Sequence, residues 1–434
     1  LIPIWTESKL LELLLNIAVV GSGGREHAIL RRLSQDVEHH QLFSVPGNGG
    51  TERLAQNIFS DVGNVPHLFE DLRRLQPDLV VVGPEGPLAG GLTDLLQDAG
   101  IPSFGPTARA ARIESSKVFA KQLMQRYRVP TAEFQIFSDY KQLERFIKHE
   151  PEGNGWVVKA DGLAAGKGAY VCADQAEVLS TAHALLVDGT LGDAGRTVVV
   201  ERKLVGREVS ALFFCDGETC LALPPAQDYK RALVGDQGPN TGGMGSFCPA
   251  DHLTPALQKE VEARVIAPTL RAMAMEGSLY QGILYAGLML TEDGPQVIEF
   301  NCRFGDPETQ TILPVWEGDF AATLLMCTQG NLNSNGGRIQ PVSRCAVCVV
   351  LAADGYPDRY KKGIPISEVD DAEQAFTLHA GTVRVDGRLV SNGGRVLNAV
   401  GTGSTKDEAR QHAIRLAERL LVPGLRFRSD IANP

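Results

Sequence analysis

The amino-acid sequence predicts a multidomain α/β and α+β chain that opens on a Rossmann-like parallel-sheet domain and closes on a β-rich one. Three observations predict it. From Ile17 to about Arg112, short apolar strands alternate with amphipathic helical stretches, the pattern of a parallel sheet with covering helices. From Glu208 to about Thr328 the chain carries strand-like runs suited to a second, antiparallel sheet. Beyond a polar linker at Asn331–Gly337, strands dominate as far as Thr405. At 434 residues there is room for two to four domains, each with its own core.

In chain order, strands are expected at Asn16–Val20, Gln41–Val45 and Asp78–Val82, and helices at Ala28–Leu33 and Leu68–Leu75. Each strand ends in a glycine or proline turn: Gly21-Ser22-Gly23-Gly24, Pro46-Gly47-Asn48-Gly49-Gly50 and Gly83-Pro84-Glu85-Gly86-Pro87. Ligands of open α/β sheets bind beyond the carboxyl ends of strands, so these three turns are expected to face one site. A helix with Ala120, Leu123, Met124 and Tyr127 on one face follows and stops at Val129-Pro130. Segments Trp156–Lys159, Ala169–Val171 and Thr197–Glu201, with helical stretches between, read as a small α+β lid. Val209–Phe214, Leu284–Leu290 and Val297–Phe300 are the strands expected in the second sheet. Near the end, Thr405 and Glu408 form a capping box for a helix with Ala409, Ala413, Leu416, Ala417 and Leu420 on one face. There is no internal repeat.

Composition narrows the class. With 43% hydrophobic and 22% charged residues the chain is ordinary globular protein, which excludes disorder and fibres. A net charge of -10 supplies no basic field for nucleic acid. No apolar run reaches the roughly 20 residues that a membrane span needs. The leading Leu1–Asn16 stretch, with leucines at 10, 11, 13, 14 and 15, suits a short amphipathic helix and lacks the marks of a secretory signal. The eight cysteines are scattered through apolar runs, as expected of reduced thiols in the cytoplasm. Cys345 and Cys348 lie three apart on a strand-like run, so they point to opposite faces. With no second pair at zinc spacing they read as core.

Five motifs carry chemistry. The turn Gly21-Ser22-Gly23-Gly24-Arg25-Glu26 fails the dinucleotide fingerprint, because Glu26 stands where its third glycine is needed and no acid closes the second strand. A phosphate held at the helix N-terminus is the expectation there, with a tight strand–helix turn that holds no ligand as the alternative. The loop Lys159-Ala160-Asp161-Gly162-Leu163-Ala164-Ala165-Gly166-Lys167-Gly168 joins two strands, and its glycines let backbone approach phosphates closely. It is not a Walker loop, since three residues separate its glycines and Gly168 replaces the hydroxyl residue. Thr197–Leu204 runs from an apolar strand into a polar hinge, with Glu208 shortly after, a pattern that suits an adenosine but taken alone reads first as a solvated strand end. Glu299, Asn301 and Arg303 share one strand face. Two hard oxygen ligands together suit Mg²⁺, which takes one or two protein oxygens plus water and phosphates. Finally, Gln227–Arg231 precedes Gly238-Pro239-Asn240-Thr241-Gly242-Gly243-Met244-Gly245, a loop whose backbone is expected to approach a ligand.

These motifs, in this order, resemble the ATP-grasp superfamily and, within it, the phosphoribosylamine–glycine ligases. The likeness rests on G-G-R-E-H-A at 23–28, P-G-N at 46–48, V-G-P-E at 82–85, K-A-D-G-L-A-A-G-K-G at 159–168, G-P-N-T-G-G-M-G at 238–245 and E-F-N-C-R-F-G-D-P-E at 299–308. H-A-G-T at 379–382 and N-G-G-R-V-L at 392–397 extend it to most of the chain. The resemblance implies an ATP-grasp fold divided at residues 16–115, 116–207, 208–335 and 336–434, after an extension at 1–15. It implies ligation of glycine to 5-phosphoribosylamine with ATP and Mg²⁺ or Mn²⁺, through glycyl phosphate.

By the same resemblance, Lys117 and Lys159 bind nucleotide phosphates, and Gly162, Gly166, Lys167 and Gly168 belong to the closing lid. Glu201, Lys203, Leu204 and Glu208 hold adenosine, while Glu299 and Asn301 coordinate the metal. Arg303 stabilises the transferring phosphoryl group, and Asp228 and Glu308 take the glycine ammonium. Gly24, Glu26, His27, Asn48 and Glu85 are expected at phosphoribosylamine, with Lys230, Arg231, Gly243 and Met244 in the substrate loops. The expected partners are these small molecules alone, without nucleic acid or membrane, and the chain is expected to act as a monomer.

The sequence departs from the family pattern at Arg202 and Arg207, where acids are usual, and at Tyr229, where histidine often stands. Leu284–Leu290 offers no further metal-binding acid. Three rival readings are another carboxylate–amine ligase, a non-catalytic nucleotide-binding module and an NAD oxidoreductase. The amino-terminal turns oppose the first, the retained Glu299, Asn301, Arg303 and Lys167 the second, and Glu26 the third.

Overall fold

The computed structural model describes residues 14–36, 39–151, 153–164, 168–332 and 342–433. Most of the leading extension, Gly166, Lys167 and the expected boundary at 335–336 lie outside these residues.

The N-terminal domain is a five-stranded parallel sheet in the order Gln56–Asn57, Gln41–Pro46, Asn16–Gly21, Leu79–Val82, Ser103–Phe104. Ala18, Val20, Val80 and Val82 face one core, and Ile17, Val19, Leu79 and Val81 face another. Burial on both faces explains why these strands read as continuous apolar runs. The strand order reverses at Asn16–Gly21, which places the Gly21 and Gly83 turns side by side at the carboxyl edge.

The lid is a four-stranded antiparallel sheet, Phe134–Phe137, Val198–Arg202, Trp156–Ala160, Ala169–Cys172, covered by helices Tyr140–His149 and Gln175–Leu186. Leu143, Ile147, Val158, Val178, Leu185 and Val200 form a core of its own.

The central sheet is antiparallel, in the order Cys220–Ala222, Arg207–Asp216, Gln281–Thr291, Gly294–Asn301. The C-terminal sheet runs Gln227–Asp228, Gly245–Cys248, Cys345–Ala353, Arg395–Gly403, Ala375–His379, with Leu425–Arg426 beside Cys345–Ala353 and helix Lys406–Leu420 packed on it. Two of its strands come from the central segment, so this sheet crosses the expected division at 335–336. The strand Cys345–Ala353 puts Cys348 in one core and Cys345 against the other. All eight cysteines are free.

Candidate active site

The four units meet around a cavity of about 290 Å³. Its upper wall begins at the helix Lys117–Tyr127, where the Ser116 hydroxyl accepts from Phe119 N at 3.0 Å. Asp161, in the glycine hairpin, accepts from the Ser116 hydroxyl at 2.9 Å and from Val118 N at 2.8 Å. A side-chain oxygen at a helix N-terminus satisfies an orphan amide. Here it also fastens the hairpin to the turn that carries Lys117.

Strand Trp156–Ala160 delivers Lys159 to the interior, where its ammonium donates to Ile298 O at 2.7 Å and pairs with Glu201. Glu201 pairs as well with Lys121, which donates to the Thr131 hydroxyl at 2.6 Å. Burial pulls Lys121 down to about 8, against the opposing charge of Glu201. Burial alone would raise Glu201, but the two lysines outweigh it and keep the carboxyl below its usual range.

The floor is the pair Gln281–Thr291 and Gly294–Asn301. Tyr285 lies opposite Asn301 and Gly287 opposite Glu299, after which the register shifts so that Leu288 faces Val297. Ile298 is the extra residue of this bulge, and its carbonyl is the acceptor used by Lys159. Bulges re-aim side chains, and Glu299 and Asn301 both line the cavity. The Glu299 carboxylate is 3.9 Å from Lys117 Nζ. Burial works to raise it, yet Lys117, Lys230, Lys159 and Arg303 together hold it down to about 2. It therefore stays ionised at any working pH, as a hard metal ligand must.

At the other end, Arg303 is gripped by the N-terminal domain, 3.0 Å from Glu114 and 3.2 Å from Glu85. Glu114 also accepts from Cys302 N at 2.7 Å. Lys230 lies 3.5 Å from Glu208 and 3.8 Å from Asp228. Burial, reinforced by Glu308, Glu208 and Glu299, pushes Asp228 up to about 7 despite Lys230. Glu308 accepts from the Tyr285 hydroxyl, which lies 2.8 Å from the Ser210 hydroxyl. Among the described residues, eight carboxylates and five cations line the cavity. A triphosphate entering such a cavity needs added positive charge, which a divalent cation on Glu299 and Asn301 would supply. Among the described residues no cluster of three or more His, Cys, Asp or Glu converges on a metal position, so such an ion would complete its shell from phosphates and water.

The cavity brings together Lys117, Lys159, Gly162, Gly168, Glu201, Lys203, Leu204, Glu208, Glu85, Asp228, Lys230, Glu299, Asn301, Arg303 and Glu308. Other expected residues lie elsewhere. Gly243 (φ 108°) packs on Pro307, whose Cδ would sit 2.4 Å from an added Cβ, and the Met244 side chain is fully buried. The loop meets the cavity through Asn240, Thr241 and Gly242 instead. Arg231 turns away and donates to Gly238 O at 2.8 Å. Gly24 lies against Asn398 and Gln310, and Glu26 accepts from Gly23 N and Arg25, both at 2.6 Å. An added Cβ at Gly83 would come within 2.0 Å of the Glu26 carboxylate, so the acid is enclosed by the turns it braces. His27 accepts from His379 N at 2.9 Å, and Asn48 donates to Ser22 O and His379 O at 2.9 Å. These side chains build the amino-terminal turns and do not line the cavity.

Sequence reasoning passed over Glu114, Lys121, Tyr285 and Asp306. Glu114 follows Ala110 and Ala111 at helical spacing, which puts it on the buried face of Ala108–Ser115. Lys121 falls beside Ala120, Leu123 and Met124 on the inner face of its helix. A charge on an apolar face is the signal that would have found both.

The lid, central sheet and glycine hairpin form a fold of the ATP-grasp class. The biotin carboxylase domain of Hydrogenobacter thermophilus 2-oxoglutarate carboxylase shares it, with a TM-score of 0.72 at 14% identity over 96% of this chain and 92% of that one. The N, ATP-grasp and C domains of phosphoribosylglycinamide synthetase match residues 15–114, 115–309 and 346–434, and the chain belongs to that family. A phosphoribosylamine–glycine ligase from Caldanaerobacter subterraneus is 41% identical, covering 96% of this chain and 99% of its own length. One from Caulobacter vibrioides is 43% identical, covering 96% and 97%. The crystal structure of the Thermotoga maritima ligase superposes with a TM-score of 0.83 at 36% identity, covering 96% of this chain and all of that one.

Proposed function

We propose that the chain joins glycine to 5-phosphoribosylamine at the expense of ATP, giving glycinamide ribonucleotide, ADP and phosphate. The observation that carries this reading is one cavity holding phosphate-seeking Lys117 and Lys159 beside Glu299, together with the buried acids Asp228 and Glu308. Family membership along the chain and relatives of that activity support it.

A carboxylate is a poor acyl donor because oxide would have to leave. Transfer of the γ-phosphoryl group to a glycine oxygen gives glycyl phosphate and ADP. The amine nitrogen then attacks the acyl carbon, phosphate departs and the nitrogen loses a proton. For this chemistry the protein supplies alignment and charge. Lys117 and Lys159 draw the nucleotide phosphates to the floor of the cavity. Lys203, Leu204 and Glu208 hold the adenosine, while Glu201 acts by fixing Lys159. Arg303, held by Glu85 and Glu114, meets the charge on the transferring group. Asp228 and Glu308 receive the glycine ammonium. A Mg²⁺ or Mn²⁺ ion held by Glu299 and Asn301 would neutralise phosphate charge when bound. The turns braced by Glu26, His27 and Asn48 shape the amine pocket with Glu85.

Among the described residues no helix is long and apolar enough to cross a membrane. Eight free cysteines fit a reducing compartment, and we place the activity in the cytoplasm, performed by a monomer. The reading is tested by ADP release with glycine and freshly generated phosphoribosylamine, each omitted in turn, with Mg²⁺ and then Mn²⁺. Release is expected only with both substrates present, and release that needs neither would refute it.

A further inference from the structure

The motif Asn392-Gly393-Gly394-Arg395 belongs to the C-terminal domain, whose sheet lies behind the cavity. Arg395 reaches forward from the first position of strand Arg395–Gly403. Its guanidinium donates to Gly242 O at 2.5 Å, to Gly243 O at 3.5 Å and to Asp306 O at 2.8 Å. It also faces the Asp306 carboxylate at 3.1 Å. Gly242 and Asp306 both line the cavity. One side chain of the C-terminal domain thus ties together the two loops that form the acyl end of the site.

Neighbouring residues reinforce the tie. Gly242 N donates to the Tyr356 hydroxyl at 3.1 Å, so the loop is held through its carbonyl and its amide. The Tyr356 ring lies on Gly394, where an added Cβ would meet ring carbon Cδ2 at 2.2 Å, so only glycine admits this approach. Asp306 accepts from Gln310 Nε2 at 2.7 Å, and it stands two residues before Glu308 on the same loop. Displacing Asp306 therefore displaces Glu308.

We propose that Arg395 is a positioning residue: it fixes the spacing between the 240–243 and 304–308 loops and so sets Glu308 for the acid substrate. This rests on the functional reading above. A guanidinium suits the task because its planar fork serves several acceptors at fixed angles, whereas an ammonium is a point charge on a flexible stem. Arg395 is not among the described residues lining the cavity, and it acts through the loops it holds. The nucleotide end, built by the lid and the central sheet, receives none of its bonds.

The test compares Arg395→Met, Arg395→Lys and Tyr356→Phe in the full chain. Arg395→Met is expected to raise the KM for glycine by about tenfold or more, with ADP affinity held close to wild type and some loss of melting temperature from the unpaired Asp306. Arg395→Lys should recover part of the loss, and Tyr356→Phe should show a smaller shift in the same direction. If Arg395→Met does not fold, the lysine and phenylalanine variants carry the same comparison. Hydrogen exchange at the Gly242 and Gly243 amides should quicken in each variant, a readout independent of which acid is the substrate. Glycine KM within twofold of wild type in folded variants, or an equal loss of ADP affinity, would overturn the positioning role. A wild-type chain that releases ADP without needing glycine would instead overturn the functional reading, leaving the exchange result to decide on Arg395.

Discussion

The guanidinium of Arg303 lies 3.0 Å from the carboxylate of Glu114, joining the segment just after strand Gly294–Asn301 to the last turns of the helix that closes the N-terminal domain. Glu85 takes the same arginine from another turn. The guanidinium at this end of the cavity is therefore oriented by a neighbouring domain before any substrate arrives. Pre-oriented charge needs no reorganisation during reaction.

Arg303→Gln is expected to lower kcat by about 10²–10³, the range for loss of one oriented charge donor. Glu114→Gln, which keeps the hydrogen bond to Cys302 N within reach and weakens only the ion pair, should cost less. Steady-state ADP release decides, and near-normal turnover of folded Arg303→Gln would refute the role.

Glu299→Gln should abolish most turnover and raise the metal concentration needed for half-activity by about tenfold or more. Its carboxyl is held down to about 2 by four cations, so the wild-type residue is charged throughout the working range. A titration of activity against Mg²⁺ and Mn²⁺ reads the shift, and an unchanged midpoint would remove Glu299 from the metal.

Glu201→Gln leaves Lys121 and Lys159 buried around an uncharged amide. Breaking a buried ion pair from one side costs about 3–5 kcal/mol. Denaturant unfolding should record a loss of that order, and adding Lys121→Met should restore part of it. An unaltered unfolding midpoint would contradict the buried pairing.

His27 and His379 meet at the boundary between the N- and C-terminal domains, their ring centroids 5.7 Å apart. Burial, then like charge nearby, lowers them to about 3 and about 4. In the unfolded chain both protonate as pH falls through about 6.5, while the folded pair stays neutral. Across that window the unfolded state binds more protons, so acidification removes stability. From pH 7 to 5 the loss is about 2 kcal/mol per histidine. Melting at the two pH values should show it, and His379→Gln should reduce the difference. An equal acid effect in that variant would contradict the assignment.

Part of the cavity lining was legible in the sequence because its signals are local. Glu299 and Asn301 sit at strand period, and the Lys159–Gly168 loop lies between two strands. The amino-terminal turns were less legible, because a glycine-rich turn and the residues that brace it look alike in sequence. Glu26 and Asn48 complete their hydrogen bonds within or between turns, and His27 is paired with a backbone amide from the far end of the chain. The same distance hid the partners of Arg303 and the entry of Gln227–Asp228 into the C-terminal sheet. Burial of Glu114 and Lys121 on helix faces was readable by period, but the partner that satisfies each charge was not.

On the proposed route a glycine oxygen accepts the phosphoryl group before the amine attacks. Glycine labelled with ¹⁸O in both carboxylate oxygens, turned over with ATP and phosphoribosylamine, tests it most directly. One labelled oxygen is expected in each released phosphate, with the other retained in the amide product. Phosphate carrying no label from glycine would contradict it.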